Sequence, residues 1–378
     1  MTGAPASPLP TPRTARADGL HVRSVRTRGV MAPLRFTMGT AAAVFAEAPL
    51  LLVDLETDGG VTGRAYAFCY RPSGAAAVSA ILHEAAGLIA GDTVAPLDAY
   101  HLLNARYRLF GVTGAVRMAL SALDMALWDA LAIAHDMPLA EALGGEARPH
   151  RAYNSCGLGL METARVCDEA ETLLDRGFSA VKLRLGYPTL KEDVSTVRAV
   201  RARVGDAVVI PCDYNQVLDR EAAMDRGLAL QREGLCWLEE PMRHDDYHGY
   251  ADLAAALDLP VQLGENFNGP EGMAEAITAG ACDLVMPDVD RIGGVTGWLL
   301  AASMAADAGM AMSSHLYPEI SVHLMAVTPT ADWVEYVDWA DAVLAEPLTI
   351  RDGQAHPLPG PGTGLVWDED KIAGLRAL

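Results

Sequence analysis

The sequence predicts an α/β barrel preceded by a smaller α+β domain, and three observations carry that prediction. From Ala180 to His315 short apolar strands recur, each ending in polar or charged residues. The ends are V-K-L-R at 181–184, I-P-C-D-Y-N at 210–215, W-L-E-E-P at 237–241, Q-L-G-E-N at 262–266, V-M-P-D at 285–288 and M-S-S-H at 312–315. Asp213, Glu239 and Glu265 fall at equal intervals (239 − 213 = 26; 265 − 239 = 26), the length of one strand, one helix and two short loops in a βα unit. Upstream, an antiparallel meander gives way to helices.

In chain order, residues 1–18 are rich in Pro, Ala and Thr and are expected as a mobile tail. The capping unit is expected over 19–147. Its strands are H-V-R-S-V-R-T-R-G-V, P-L-L-L-V-D-L-E-T and V-T-G-R-A-Y-A-F-C-Y, the last two separated by the turn residues Asp58, Gly59 and Gly60. A loop rich in small and apolar residues is expected from Phe36 to Ala48. Residues 75–147 carry helical periodicity, and A-V-R-M-A-L-S-A-L-D-M-A-L-W-D-A-L is apolar nearly all round, hence buried. Gly144, Gly145 and Pro149 mark the boundary. The barrel is expected over 148–345, opening with A-Y-N-S-C, with helices such as 189–204 and 219–233 and a last strand W-V-E-Y-V-D at 333–338. A doubly wound sheet would gather functional residues at one switch point; here every strand end carries them. The Pro/Gly-rich segment 346–378 is expected to return to the capping unit.

Composition narrows the function. A chain of 378 residues can bury a large core. The formal charge of −20 argues against nucleic acid, whose phosphates it would repel. No apolar run approaches the ~20 residues that span a bilayer, so no membrane partner is expected. Arg13 and Arg16 have no apolar stretch behind them, unlike a secretory signal. The six cysteines form no C-x-x-C pair and fit buried thiols in a reducing compartment, with a cytoplasmic enzyme as the expectation.

Equal phase in successive βα units places Asp213, Glu239 and Glu265 at one end of a barrel. Three hard oxygen donors suit Mg²⁺ better than zinc. Glu240 should point away from Glu239, because side chains alternate along a strand. His315 follows a strand end carrying Asp288, and a carboxylate on one ring nitrogen sets the tautomer and raises basicity at the other.

Taken together, A-V-K-L-R-L-G-Y-P, D-Y-N-Q, W-L-E-E-P, G-E-N, M-P-D, G-G-V-T-G-W, S-S-H-L and T-P-T-A-D-W-V-E resemble the enolase superfamily, and within it the mandelate racemase group, from about Leu20 to the C-terminus. The resemblance implies an N-terminal α+β capping domain over a (β/α)7β modified TIM barrel. It implies one Mg²⁺ per subunit on Asp213, Glu239 and Glu265, a small carboxylate substrate, and a homo-oligomer, an octamer by analogy. The reaction implied is removal of the proton beside a carboxylate, giving an enediolate. His315 with Asp288 would be the base on one face and Lys182 would stabilise the developing charge. Glu335 would be a neutral acid donating to the substrate carboxylate, Ser155 would bind that carboxylate and Asn215 the α-hydroxyl. Met38, Ala42, Phe45 and Tyr70 would contact the substrate's apolar substituent.

One position departs from the pattern. The group's K-x-K places a second lysine base where this chain has Arg184. An arginine stays protonated, and lowering it from ~13 to ~7 costs on the order of 8 kcal/mol. Arg184 therefore clamps an anionic group or relays a proton. The leading expectation is a racemase or epimerase of a mandelate-like 2-hydroxy acid. The alternative is a dehydratase of a 2,3-dihydroxy sugar acid with His315 as single base. A third reading, a binding protein that kept the fold without the chemistry, fits poorly with an intact triad and dyad. His244-Asp245-Asp246-Tyr247-His248 and Gly293-Gly294-Val295-Thr296-Gly297 look like metal and phosphate motifs, but are expected to be structural.

Overall fold

The computed structural model describes residues 9–40 and 43–378. β1 (Ala17–Gly39), β2 (Val44–Thr57) and β3 (Thr62–Phe68) form an antiparallel meander. Most of the expected loop from Phe36 to Ala48 is strand. Met38 pairs with Phe45 and Gly39 with Val44, after a register shift between Pro33 and Met38. A proline supplies no N–H to a ladder, which accounts for a shift beside it. Met38 and Phe45 thus face each other on a hairpin arm, whose ladder holds both side chains to one face. Ala42, expected at its tip, lies outside the described residues.

α1 (Pro72–Leu88), β4 (Thr93–Val94), α2 (Pro96–Tyr107), α3 (Ala115–Ala134) and α4 (Leu139–Ala142) complete the cap. α3 is buried along almost its whole length. It approaches β3 so closely that a Cβ at Gly63 would overlap the Ala126 carbonyl. Two buried carboxylates make α3 the hub between domains. Asp124 accepts from the Thr296 amide and hydroxyl at 2.9 and 2.6 Å. Asp129 accepts from the amides of Arg64 and Thr363 at 2.7 and 2.6 Å. The expected tail is anchored by Arg13, whose amide donates to Ala142 O at 2.9 Å.

The second domain alternates strand and helix: β5 (His150–Asn154), α5 (Thr163–Leu173), β6 (Leu183–Arg184), α6 (Leu190–Val204), β7 (Cys212–Asp213) and α7 (Arg220–Leu230). It continues through β8 (Leu238–Glu239), α8 (Tyr247–Ala256), β9 (Val261–Leu263), α9 (Gly269–Ala279) and β10 (Leu284–Val285). α10 (Val289–Ile292), α11 (Gly294–Ala308), α12 (Pro318–Met325) and β11 (Val334–Tyr336) end it. β6 to β10 are parallel neighbours in sequence order, and β11 pairs in parallel with β5. Bridges Asn154–Val181, Val285–Met312 and Met312–Ala331 link the remaining neighbours. The (β/α)7β arrangement follows, with the strand ends facing the cap.

The C-terminal segment serves both domains. β12 (Thr349–Arg351) and β13 (Gln354–His356) form a hairpin, and β13 adds antiparallel to β5. Beyond it Trp367 Nε1 donates to Asp54 Oδ1 at 2.7 Å. After α13 (Glu369–Ala373), β14 (Arg376–Ala377) pairs with β1. All six cysteines are free thiols, and no helix among the described residues is long and apolar enough to cross a membrane. Because α3 is clamped on β3, Gly63→Ala should cost about 1–3 kcal/mol by overpacking, read as a lower urea midpoint; an unchanged midpoint would contradict this close approach.

Candidate active site

Register places the functional side chains. Leu183, Cys212 and Leu238 pair in one row, and Arg184, Asp213 and Glu239 in the next. Alternation therefore turns Lys182 off the Leu183 face together with Arg184. Glu239 pairs with Gln262, so Glu265 lies three residues beyond the row its sequence interval suggests. It returns through Gly264, whose φ of +148° lies in the region favouring glycine and whose Cβ would meet the Met286 backbone at 2.6 Å. Asp213, Glu239 and Glu265 thereby offer one oxygen each within 4.8 Å of one another.

Such crowding of buried acids needs positive charge. Lys182, 1% exposed, places Nζ 2.9 Å from Glu239, 3.4 Å from Asp213 and 2.7 Å from Glu335. Burial still raises the Glu239 carboxyl, to about 8, with Lys182 opposing and Asp213 adding to the rise. Asp213 is likewise raised, chiefly by burial. One ammonium does not offset the set, and the all-oxygen donors fit a hard divalent cation. Asn215 donates to both oxygens of Asp213, at 2.8 Å from its amide N and 2.9 Å from Nδ2, which aims that carboxylate.

His315 Nδ1 lies 2.6 Å from Asp288 Oδ2, while Nε2 lies 3.1 Å from Glu265 and 3.8 Å from Glu335. Burial would lower the imidazole, but Glu265, Glu335 and Asp288 together hold it well above its ordinary value. Glu335, expected as a neutral acid, has Lys182 Nζ at 2.7 Å and His315 Nε2 at 3.8 Å. Against the effect of burial, Lys182 and His315 hold its carboxyl down at about 2, and Leu316 N donates to Oε2 at 2.8 Å.

Arg184 is 5% exposed. Its guanidinium donates to Gly157 O at 2.6 Å and to Ser155 O and Oγ at 3.2 and 3.1 Å. The expected carboxylate-binding hydroxyl of Ser155 is therefore engaged by Arg184. Glu240 is buried and accepts from Asn266 Nδ2 at 2.6 Å, while the same nitrogen reaches Glu265 Oε1 at 2.9 Å. It stands beside the acid cluster, one amide removed from Glu265.

Lys182, Arg184, Asp213, Asn215, Glu265, His315 and Glu335 line a cavity of about 220 Å³. Met38, Phe45 and Tyr70 line it as expected, and the structure adds Phe68, Trp339 and Leu316. Phe68 joins the rings, with centroids 4.3 Å from Tyr70, 4.7 Å from Trp339 and 6.1 Å from Phe45. Gln216, Asn266 and Arg291 also line it and were missed. The signal available for them was their position just after strand ends bearing acids.

The decoys resolve individually. Asp246 caps α8 and pairs with Arg220, and Asp245 pairs with Arg243. His244 alone turns inward, its Nδ1 2.9 Å from Gln216 Oε1. The glycine-rich run opens α11 against Asp124.

Residues 21–144 match the mandelate racemase / muconate lactonizing enzyme N-terminal domain, and residues 165–371 the enolase C-terminal domain-like family. A solved enolase from the alpha-proteobacterium bal199, with bound Mg, is 42% identical with a TM-score of 0.93, covering 95% of this chain and 100% of the other. An enolase from Bradyrhizobium complexed with magnesium and mandelic acid is 38% identical with a TM-score of 0.90, covering 95% and 99%. L-talarate/galactarate dehydratase of Salmonella typhimurium is 30% identical over 366 residues, 94% of this chain and 92% of that protein.

Two outcomes follow from the charge arrangement. MgCl₂ should raise the melting temperature of the protein but not of Glu239→Gln, since a ligand at 100 times its Kd stabilises by about 2.7 kcal/mol; equal shifts would remove Glu239 from the cation site. The folded pKa of Glu335, about 2, lies below its ordinary 4.5, so its stabilisation is complete above pH 4.5 and is lost as pH falls through 2. Glu335→Gln should flatten that acid limb of the urea midpoint, and an unchanged limb would contradict the ionised pair.

Proposed function

The chain belongs to the mandelate racemase / muconate lactonizing enzyme group of the enolase superfamily, and from that premise we propose that it is a Mg²⁺-dependent dehydratase of a 2,3-dihydroxy carboxylate. One observation carries the reading. Among the proton-transfer positions expected from the sequence, only the His315 side offers a neutralisable base. Arg184, anchored on Ser155 and Gly157, remains a cation. A racemase needs a proton acceptor for each enantiomer, whereas elimination of water needs one group that takes a proton and returns it.

Asp213, Glu239 and Glu265 would hold Mg²⁺, which supplies positive charge for the substrate carboxylate oxygens. With Glu265 so committed, His315 Nε2 takes the proton from the α-carbon, while Asp288 keeps the other ring nitrogen protonated. Lys182 Nζ and the Arg184 guanidinium stabilise the charge that grows on the carboxylate. The C3–O bond then breaks, the imidazolium proton leaves with the hydroxyl as water, and the resulting enol becomes a 2-keto acid. The talarate/galactarate dehydratase relative supports this class of substrate.

A second reading has its own support. The four-ring wall of Phe45, Phe68, Tyr70 and Trp339, and the mandelic acid in the Bradyrhizobium structure, favour a racemase of an aromatic 2-hydroxy acid.

Proton NMR in D₂O with Mg²⁺, together with semicarbazide trapping, separates the two. Sugar acids should release a 2-keto acid, with His315→Asn at least about 10³-fold slower. Mandelate should exchange its α-proton from one enantiomer at most, without inversion. Inversion by the wild type with no keto acid from any sugar acid would sink the dehydratase reading. Arg184→Lys, which restores a titratable amine, should introduce exchange from the opposite enantiomer.

A further inference from the structure

Immediately after His315 the chain takes an uncommon path. Leu316 and Tyr317 are both left-handed, with φ of +49° and +48°, a conformation that presses a Cβ against the following carbonyl oxygen. Two such residues in succession persist only where the surroundings hold them. One hold is Glu335, whose Oε2 accepts from the Leu316 amide at 2.8 Å. Beyond Tyr317 the chain turns directly into α12 through Pro318.

The other hold is the Tyr317 hydroxyl. The residue is buried, and its hydroxyl oxygen accepts from the Phe68 amide at 2.8 Å and donates to Asp290 Oδ2 at 3.1 Å. Neither Tyr317 nor Asp290 lines the catalytic cavity. The Asp290 amide in turn donates to Asp288 Oδ1 at 2.7 Å, and Asp288 Oδ2 meets His315 Nδ1 at 2.6 Å. The path closes on itself. It runs from His315 along the backbone to Tyr317, across to Asp290, and back through Asp288 to the imidazole. Burial and the nearby Asp288 push the Asp290 carboxyl well above the ordinary carboxylate range. A neutral Asp290 accepts from Tyr317 without setting a second anion against Asp288.

The same hydroxyl reaches the cap. Tyr66 and Phe68 are alternate residues of β3 and share a face. The Tyr66 ring packs on Tyr317 with centroids 4.9 Å apart. Its hydroxyl donates at 2.7 Å to Oε2 of Glu319, in the first turn of α12. Phe68 gives its amide to Tyr317 and its ring to the catalytic cavity. One residue of the cap thus touches both that cavity and the segment that carries His315.

We propose that Tyr317 and Asp290 are positioning residues that aim the His315–Asp288 pair, and that they tie its aim to the seating of the cap strand at Phe68. The role of His315 as base rests on the dehydratase reading; the positioning applies to whichever proton transfer His315 performs. A reacting group displaced by about 1 Å loses on the order of 10²-fold in rate. Groups elsewhere in the cavity that bind the substrate keep their places. Loss of the hydroxyl therefore appears in kcat and spares KM.

The test compares Tyr317→Phe, Asp290→Leu, Asp290→Asn and Tyr66→Phe, each with MgCl₂ present. Steady-state rates are taken for 2-keto acid release from sugar acids and for α-proton exchange of mandelate. A low-field proton resonance from the His315–Asp288 hydrogen bond, identified by its loss in His315→Asn, reads the pair without turnover. Tyr317→Phe should lower kcat at least about 10-fold with KM changed less than about 2-fold, and should shift or broaden that resonance. Asp290→Leu, which leaves the Phe68–Tyr317 bond in place, should do the same. Asp290→Asn keeps an acceptor for Tyr317 and should match the wild type. Tyr66→Phe removes another buried hydroxyl of the same interface; it should lower the urea midpoint yet leave kcat and the resonance unchanged. An unaltered kcat and resonance in Tyr317→Phe and Asp290→Leu overturns the proposal, and so does an equal loss in Tyr66→Phe. Should the wild type turn over no acid, the dehydratase reading fails, and the resonance in the four variants decides the positioning in the same sense.

Discussion

The mutual repulsion of buried carboxylates is the constraint on which the rest of this structure depends. Asp213, Glu239 and Glu265 converge within 4.8 Å, and Glu335, Asp288 and Glu240 are buried around them. Charges of one sign in such a place cost more than any single ion pair returns. Lys182 answers part of that cost by touching three of the acids at once. The remainder leaves the cluster short of positive charge, and His315 and Glu335 stand 3.8 Å apart beside it. Catalytic poise and structural strain have the same origin here.

The fold delivers that crowding with little slack. Paired strand ends put Arg184, Asp213 and Glu239 in one row, while Gly264 bends Glu265 back to join them. The cap docks on the barrel through α3, whose Asp124 and Asp129 accept from Thr296 of α11 and Thr363 of the C-terminal segment. The hairpin arm of β1 and β2 brings Met38 and Phe45 over the mouth. Charged groups and an apolar wall thus face one cavity.

A single substitution shapes the chemistry. Arg184 occupies a position where a lysine could lose its proton, yet a guanidinium keeps its charge at any ordinary pH. Its hydrogen bonds to Ser155 and Gly157 hold it as a fixed cation in the wall of the catalytic cavity. The consequence is asymmetry: a base on one side and charge stabilisation on the other. Arg291 and Arg117 extend the cationic lining beyond the catalytic cavity.

By itself the sequence determined the barrel and the cap, and it singled out the three acids that the structure gathers, the His315–Asp288 pair and the Arg184 departure. Each is carried by local periodicity or by a residue type at a strand end, and strand-end phase survives without knowledge of contacts. Only the tertiary structure decided the rest. The Phe36–Ala48 stretch is a hairpin because Met38 pairs with Phe45 and Gly39 with Val44, a pairing that a run of small and apolar residues does not reveal. The Glu335 carboxyl is held down because Lys182, distant in sequence, reaches it at 2.7 Å. Phe68, Trp339, Arg291 and Arg117 come from four separate segments, and their shared cavities arise only when cap and barrel dock. A charge state or a chamber wall is a property of neighbours, and neighbours are set by packing.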